Sequence, residues 1–198
     1  MSNPRIVAGK ARGVRLKPVP GDITRPITDR VKVSLFNIFG ADIQDATFLD
    51  LFGGTGSVGI EALSRGAASV LFVEEDRQSI AAIEKNLAKT NLIGRVRQQE
   101  VFDFLRRSSL AETFRIIFAD PPYEKTKSGE RFTERLLANA ALAQLLEPGG
   151  VFVLEKRPTE RISETELWNV VRVKTYGATE VLFLRHAPSA LRIMPAGK

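Results

Sequence analysis

Phe48-Leu49-Asp50-Leu51-Phe52-Gly53-Gly54-Thr55-Gly56-Ser57-Val58-Gly59 is an apolar run that breaks into a glycine-rich turn. The run reads as a buried strand, and the turn leads into a helix through Glu61-Ala62-Leu63. The alternation continues outward. Val70-Leu71-Phe72-Val73 is a second strand, Ile80, Ile83 and Leu87 mark a helix, and a short third strand begins at Val96. Residues 102–107 read as a brief helix and 115–119 as the fourth strand. Leu136, Leu137 and Leu145 belong to one helix, Pro148-Gly149-Gly150 is a turn, and 151–154 form a fifth strand. The segments 170–176 and 181–185, separated by Gly177-Ala178, read as an antiparallel pair. Upstream, Val31, Leu35, Ile38 and Phe39 recur at helical spacing, with Thr28 or Asp29 as cap and Gly40 as stop. Strand–helix alternation implies an α/β fold: a mostly parallel sheet covered on both faces and closed by a hairpin at one edge.

In such sheets ligands bind beyond the carboxyl ends of the strands. The turn contains GxGxxG from Gly54 to Gly59, a weak signal whose first reading is a dinucleotide site. Two acids redirect it. Asp50, just before the turn, disfavours a pyrophosphate and favours a cationic amine. Glu74, closing the second strand, is spaced to accept hydrogen bonds from ribose hydroxyls. S-adenosylmethionine carries a ribose and a positively charged portion without phosphate, so the pattern favours it over NAD.

A second apolar run, Arg115-Ile116-Ile117-Phe118-Ala119, ends in Asp120-Pro121-Pro122-Tyr123. Proline gives no N–H to a ladder and biases the preceding residue toward an extended conformation. Asp120 and the Pro121 carbonyl then become two acceptors close together at a strand end, beside the Tyr123 ring. That suits a planar group bearing –NH2; a capped strand-ending turn is the simpler alternative.

The formal charge of +6 is localised. Residues 1–32 hold eight basic and two acidic side chains, and the remaining residues balance at 21 of each sign. Such segregation is the footprint of a polyanion, a nucleic acid or an anionic membrane, with a solvated basic face as the alternative. Ile6-Val7-Ala8 and Val14-Arg15-Leu16 flank Gly9-Lys10-Ala11-Arg12-Gly13, predicting a basic β-hairpin that could lie over phosphates. The 198 residues contain no cysteine, and His186 is the single histidine. Thiolate nucleophiles, Cys-ligated zinc and His-based triads are thereby disfavoured, and no metal site is expected. No apolar run has the length of a membrane span, so a cytoplasmic location is the default. Arg65 and Glu155 read as structural, and Trp168 as packing.

Three stretches together, Leu49-Asp50-Leu51-Phe52-Gly53-Gly54-Thr55-Gly56, Gly59-Ile60-Glu61-Ala62-Leu63-Ser64-Arg65-Gly66-Ala67 and Asp120-Pro121-Pro122-Tyr123, carry a family likeness. They resemble the bacterial 16S rRNA guanine-N2-methyltransferases. Arg5-Ile6-Val7-Ala8-Gly9, Arg12-Gly13, Thr24-Arg25-Pro26 and Tyr176-Gly177-Ala178-Thr179 extend the resemblance over nearly the whole chain. Gly53 departs from the usual alanine, Ile27 from the common threonine and Val33 from a common acid.

The resemblance implies a Rossmann-like class I S-adenosylmethionine-dependent methyltransferase fold with a seven-stranded sheet. The expected divisions are a basic extension at 1–27, a methyltransferase domain at 28–186 and a flexible tail at 187–198. Asp120, Pro121, Pro122 and Tyr123 are the implied catalytic group. Asp50, Phe52, Gly53, Gly54, Thr55, Gly56, Glu74, Glu100 and Val101 are the implied cofactor contacts, and Arg5, Arg12, Arg15 and Arg25 the RNA contacts. Asp120 is expected to act as a hydrogen-bond acceptor without needing a raised pKa, while Tyr123 stacks on the base. The implied partner is 16S rRNA, free or in an assembled small-subunit particle, with no membrane and a monomeric enzyme. Methylation of another amino group, in adenine or a protein amide, and a non-catalytic RNA-binding module remain open alternatives.

Overall fold

The computed structural model describes residues 4–20, 27–108, 112–122, 131–160, 162 and 165–187. Arg25, Tyr123 and the expected tail beyond residue 187 lie outside these residues. Seven strands form one sheet: β1 (Thr47–Leu51), β2 (Ser69–Glu74), β3 (Arg95–Gln98), β4 (Phe114–Ala119), β5 (Leu146–Lys156), β6 (Trp168–Tyr176) and β7 (Thr179–His186). Their order is β3-β2-β1-β4-β5-β7-β6. The first five run parallel, and β7 and β6 add an antiparallel edge, as the alternating sequence pattern predicts.

Side chains alternate between two cores, as a strand's period of two demands. Phe48, Phe72, Ile116, Phe118 and Val153 enter the core formed with α1 (Asp29–Phe39), α2 (Ser57–Ser64) and α3 (Arg77–Thr90). Leu49, Leu71, Ile117, Ala119 and Leu154 face α4 (Val101–Arg107), α5 (Phe132–Leu137) and α6 (Ala140–Gln144). The α1, α3 and α4 helices begin at side-chain caps, the first of them at the expected Thr28. Thr28 accepts from Val31 N at 3.4 Å, Asp76 from Ser79 N at 2.7 Å and Glu100 from Asp103 N at 2.7 Å. Trp168 is buried and donates Nε1–H to the Leu137 carbonyl at 3.1 Å, a packing role.

Three expectations need correction. The single helix through Leu136, Leu137 and Leu145 is two helices, because the Asn139 side chain accepts from Leu142 N at 2.9 Å and starts α6 afresh. The Pro148-Gly149-Gly150 turn lies inside β5, whose pairing with β4 jumps from Phe114↔Leu146 to Ile116↔Val151 and loops the extra residues out. No N-terminal hairpin of two strands is present among the described residues: Arg5 and Arg15 make one isolated antiparallel bridge.

Competition from α2 explains the missing hairpin. Val7 N and Ala8 N donate to the buried Glu61 carboxylate at 2.7 and 3.0 Å. Lys10 N donates to the Ser64 carbonyl at 2.8 Å. Ser64 Oγ accepts from Ala11 N at 3.0 Å and donates to the Ala8 carbonyl at 2.6 Å. Ile6 N still donates to the Val14 carbonyl at 2.9 Å, Gly13 N to the Ile6 carbonyl at 2.8 Å and Leu16 N to the Pro4 carbonyl at 2.7 Å. The backbone groups of residues 7–11 that would have extended a ladder are spent on the helix, while Ile6 and Leu16 sink into the core. Gly9, at φ +80°, makes this possible, since a Cβ there would lie 1.8 Å from the Ser64 carbonyl oxygen. Arg65 completes the anchor with an ion pair to Glu61 at 2.7 Å and a guanidinium 4.8 Å from the Phe36 ring centroid. Fully buried Lys32 lies 3.8 Å from Glu61; burial lowers its pKa, and Glu61 and Asp29 oppose that shift.

The α2 helix sits close enough to β1 and β2 that position 59 tolerates no side chain. A Cβ on Gly59 would lie 2.3 Å from Phe72 Cε1 and 2.9 Å from Asp50 Oδ2. Gly59→Ala should destabilise the fold by about 1–3 kcal/mol, read as a lower urea midpoint. An unchanged midpoint would show that α2 can retreat freely.

Candidate active site

A cleft of about 600 Å³ opens at the carboxyl ends of the central strands. The parallel register builds its floor. Asp50 pairs with Phe118 and Leu51 with Ala119, while Phe118 and Ala119 pair with Val153 and Leu154. Asp120 and Glu155, one residue beyond Ala119 and Leu154, therefore stand side by side. By strand parity, Asp50, Asp120 and Glu155 all belong to the face that carries Phe48, Phe118 and Val153.

Asp50 is 2% exposed and accepts from Gly59 N at 2.9 Å, which places its carboxyl at the N-terminus of α2. Burial pushes its pKa up to about 8; the Gly59 N–H opposes this and the Glu74 charge adds to it. Asp120 lines the same cleft. Its pKa also stands well above the ordinary carboxylate range, through burial first, then through Glu155 and Asp50. The expected ordinary acceptor is thus a carboxyl strongly inclined to hold a proton.

The loop after β1 is held from several sides. Phe52 adopts φ +61°, a costly conformation for a bulky side chain, of order 1–3 kcal/mol. Gly53 N donates to the Val73 carbonyl at 3.2 Å and Gly56 N to the Gly53 carbonyl at 2.7 Å. Glu74 Oε2 accepts from Gly54 N at 2.9 Å, and Oε1 from Glu75 N and Asp76 N at 2.9 and 3.0 Å. The carboxylate so clamps the glycine loop to the start of α3, with acceptor capacity left on Oε2. Glu100 lines the cleft while capping α4, and Val101 is buried beside it.

The structure brings Asp50, Phe52, Gly53, Gly54, Thr55, Glu74, Glu100, Val101, Asp120 and Pro122 to one cleft. Gly56, between the lining residues Thr55 and Ser57, is the αL cap of α2 and does not itself line the cleft. Pro121 lines a smaller neighbouring cavity of about 10 Å³ instead. Arg5, Arg12 and Arg15 are exposed on the N-terminal loop, with Arg5 paired to Asp29 at 2.6 Å.

Sequence reasoning missed several lining residues. Ser57, 5% exposed in the first turn of α2, lines the cleft, and its Oγ has no hydrogen-bond partner among the described residues. Val19 and Pro20 form another part of the wall. Phe132 and Arg135 line the side next to Pro122. The Arg135 guanidinium lies 3.5 Å from the Phe102 ring centroid, and Phe132 meets Phe52 edge-on at 5.6 Å. Ser57 lies inside the GxGxxG run, a signal that could have found it, whereas no local motif flags Val19, Pro20, Phe132 or Arg135, which reach the cleft through tertiary packing.

The family described as Conserved hypothetical protein 95 matches residues 4–185. The chain belongs to this family. The Conserved hypothetical protein 95 match takes in both the anchored basic loop and the Asp-Pro-Pro run. The chain is 38% identical to YlbH of Bacillus subtilis over 181 residues, covering 89% of this chain and 96% of the relative. It is 32% identical to the ribosomal RNA small subunit methyltransferase D of Haemophilus influenzae over 176 residues, covering 87% and 89%. A solved hypothetical protein of Thermus thermophilus superposes with TM-score 0.76 at 31% identity, covering 91% of this chain and 98% of that one. At 21% identity, a Thermus thermophilus 16S rRNA N2 methyltransferase solved with AdoMet and guanosine shares the fold, with TM-score 0.60 over 84% of this chain and 46% of its own. The sheet order is therefore that of the class I S-adenosylmethionine methyltransferase fold. Among the described residues no helix is long and apolar enough to cross a membrane.

The raised Asp50 pKa has a testable sign. Folded protein holds this proton between the unfolded carboxylate range, near about 4, and about 8. Its contribution to stability is complete below that window and is lost as pH rises through it. Asp50→Asn should flatten this decline, so the variant's urea midpoint gains on wild type between pH 5 and pH 8. Parallel curves would contradict the assignment.

Proposed function

We propose that this chain transfers the methyl group of S-adenosylmethionine to the exocyclic N2 amine of a guanine in 16S rRNA of the small ribosomal subunit. One observation carries the reading: Asp50 and Asp120 share one cleft, on adjacent parallel strands and one face, within a chain related to small-subunit rRNA methyltransferases. The donor set fits the cofactor. The buried Ser57 Oγ lines the cleft without a partner, and Asp50 sits there with a carboxyl that a cationic amine would drive to ionise. In this reading Asp50 holds the amino group, Glu74 takes ribose hydroxyls on its remaining acceptor capacity, and Phe52 to Gly56, with Glu100 and Val101, form the walls. When bound, S-adenosylmethionine supplies a methyl group already activated on a cationic sulfonium.

The remaining chemistry falls to the protein. A guanine amine is a poor nucleophile because its lone pair is delocalised into the ring. Asp120 and the Pro121 carbonyl accept its two N–H groups, favouring a pyramidal nitrogen with a localised pair aimed at the methyl. As the methyl's bond to sulfur gives way to a bond to nitrogen, the nitrogen releases one proton; Asp120, entering the step as a carboxylate, would take it and end as the neutral carboxyl that its surroundings favour. Positioning supplies most of the rate. Pro122 braces the base, Tyr123 stacks on it, and Arg5, Arg12, Arg15 and Arg25 hold phosphates.

Transfer of labelled methyl from S-adenosylmethionine to unmethylated 16S rRNA, free and in small-subunit particles, tests the reading. Nucleoside analysis should return N2-methylguanosine as the labelled product. Label in adenosine, in protein or nowhere would overturn it.

A further inference from the structure

Asn86 stands out on α3 as a fully buried amide on the stripe that carries Ile83 and Leu87. Its Nδ2 donates to the Thr55 carbonyl at 2.9 Å and to the Lys17 carbonyl at 3.0 Å, and its Oδ1 accepts from Lys17 N at 2.7 Å. Both amide hydrogens are therefore committed. Thr55 belongs to the glycine loop, and Lys17 follows directly from the basic N-terminal loop. One side chain thus joins the backbones of the two segments on which cofactor and RNA would act.

The connection is reinforced along α3 and continues into the cleft. Lys89, three residues on, donates to the Arg15 carbonyl at 2.6 Å. Val19 and Pro20, just beyond Lys17, line the cleft together with Thr55. A shift of the Lys17 backbone therefore strains the Thr55 contact and moves the cleft wall. The hydrogen bonds of one rigid amide give the two segments a common preferred arrangement.

We propose that Asn86 is a positioning residue that couples RNA held on the basic segment to the shape of the cofactor loop, so that each ligand tightens the other. The inference rests on the methyltransferase reading above. Coupling between binding sites is reciprocal. RNA arriving at Arg12 and Arg15 fixes the 15–20 segment, and Asn86 transmits this to Thr55. Cofactor filling the loop orders the same segment from the other side.

The test is calorimetric titration of S-adenosylhomocysteine with and without unmethylated 16S rRNA. Wild-type affinity should rise at least about fivefold with RNA, the lower end of measured couplings. In Asn86→Ala the ratio should fall toward one. A merely structural role would weaken both affinities and leave the ratio intact. Hydrogen exchange on wild-type protein keeps the test decisive if the variant fails to fold: S-adenosylhomocysteine alone should slow exchange of the Lys17 amide. A preserved ratio in Asn86→Ala, an RNA-independent affinity in wild type, or a Lys17 amide indifferent to ligand would each overturn the coupling. These outcomes are separate from the failure of methyl transfer, which would remove the underlying function as well.

Discussion

Three carboxyl groups on one face of a parallel sheet, buried Asp50 and Glu155 and half-buried Asp120 at the ends of β1, β5 and β4, set the terms for the surrounding structure. Taking carboxylates out of water is costly, and in the cleft this raises the proton affinity of Asp50 and Asp120 above that of exposed carboxyls. The α2 N-terminus offsets part of that cost at Asp50 through the Gly59 N–H. Gly59 must then remain bare, because α2 lies against both Asp50 and Phe72. The helix packing, the glycine turn and the electrostatics of the cleft all follow from where these acids sit. In the proposed reaction the same arrangement serves twice, as a partner for a cationic cofactor group and as a sink for the proton leaving the amine.

The second organising feature is the way the basic segment is fastened. The 59–67 stretch, which carries much of the family likeness, is chiefly an anchor. Glu61 and Ser64 gather five hydrogen bonds from or to residues 7–11, counting the Ser64 carbonyl. The localised charge of the N-terminus is thereby held on the same helix whose first turn lines the cleft. A flexible basic tail would bring affinity for polyanions; a docked one also brings register, by fixing arginines relative to Asp120.

The strand–helix order and the cleft were legible because their signals are local. Apolar periodicity marked each strand of the parallel core, and the rule that ligands bind beyond strand carboxyl ends brought Asp50, Glu74 and Asp120 together. What escaped depended on partners far along the chain. Ile6-Val7-Ala8 and Val14-Arg15-Leu16 have a hairpin pattern, yet Glu61 and Ser64, more than fifty residues from Val7 and Ala11, claim the backbone of residues 7–11 and stop the pairing after a single bridge. Glu155 read as structural because nothing local shows that β5 sets it beside Asp120. Asn86 left only a faint trace, a polar residue on an apolar helical stripe. Asn139 was a capping residue overlooked within a run of leucines and alanines.

The central claim is that Asp120 promotes transfer to the amine without holding the cofactor. Single-turnover methyl transfer to 16S rRNA by Asp120→Ala, with S-adenosylhomocysteine affinity measured on the same preparation, tests it most directly. The account predicts a rate lower by about a hundredfold or more, the scale of losing one preorganised electrostatic contact, with cofactor affinity within a few-fold of wild type. A variant that transfers methyl at the normal rate, or that loses rate only in proportion to lost cofactor binding, would contradict it.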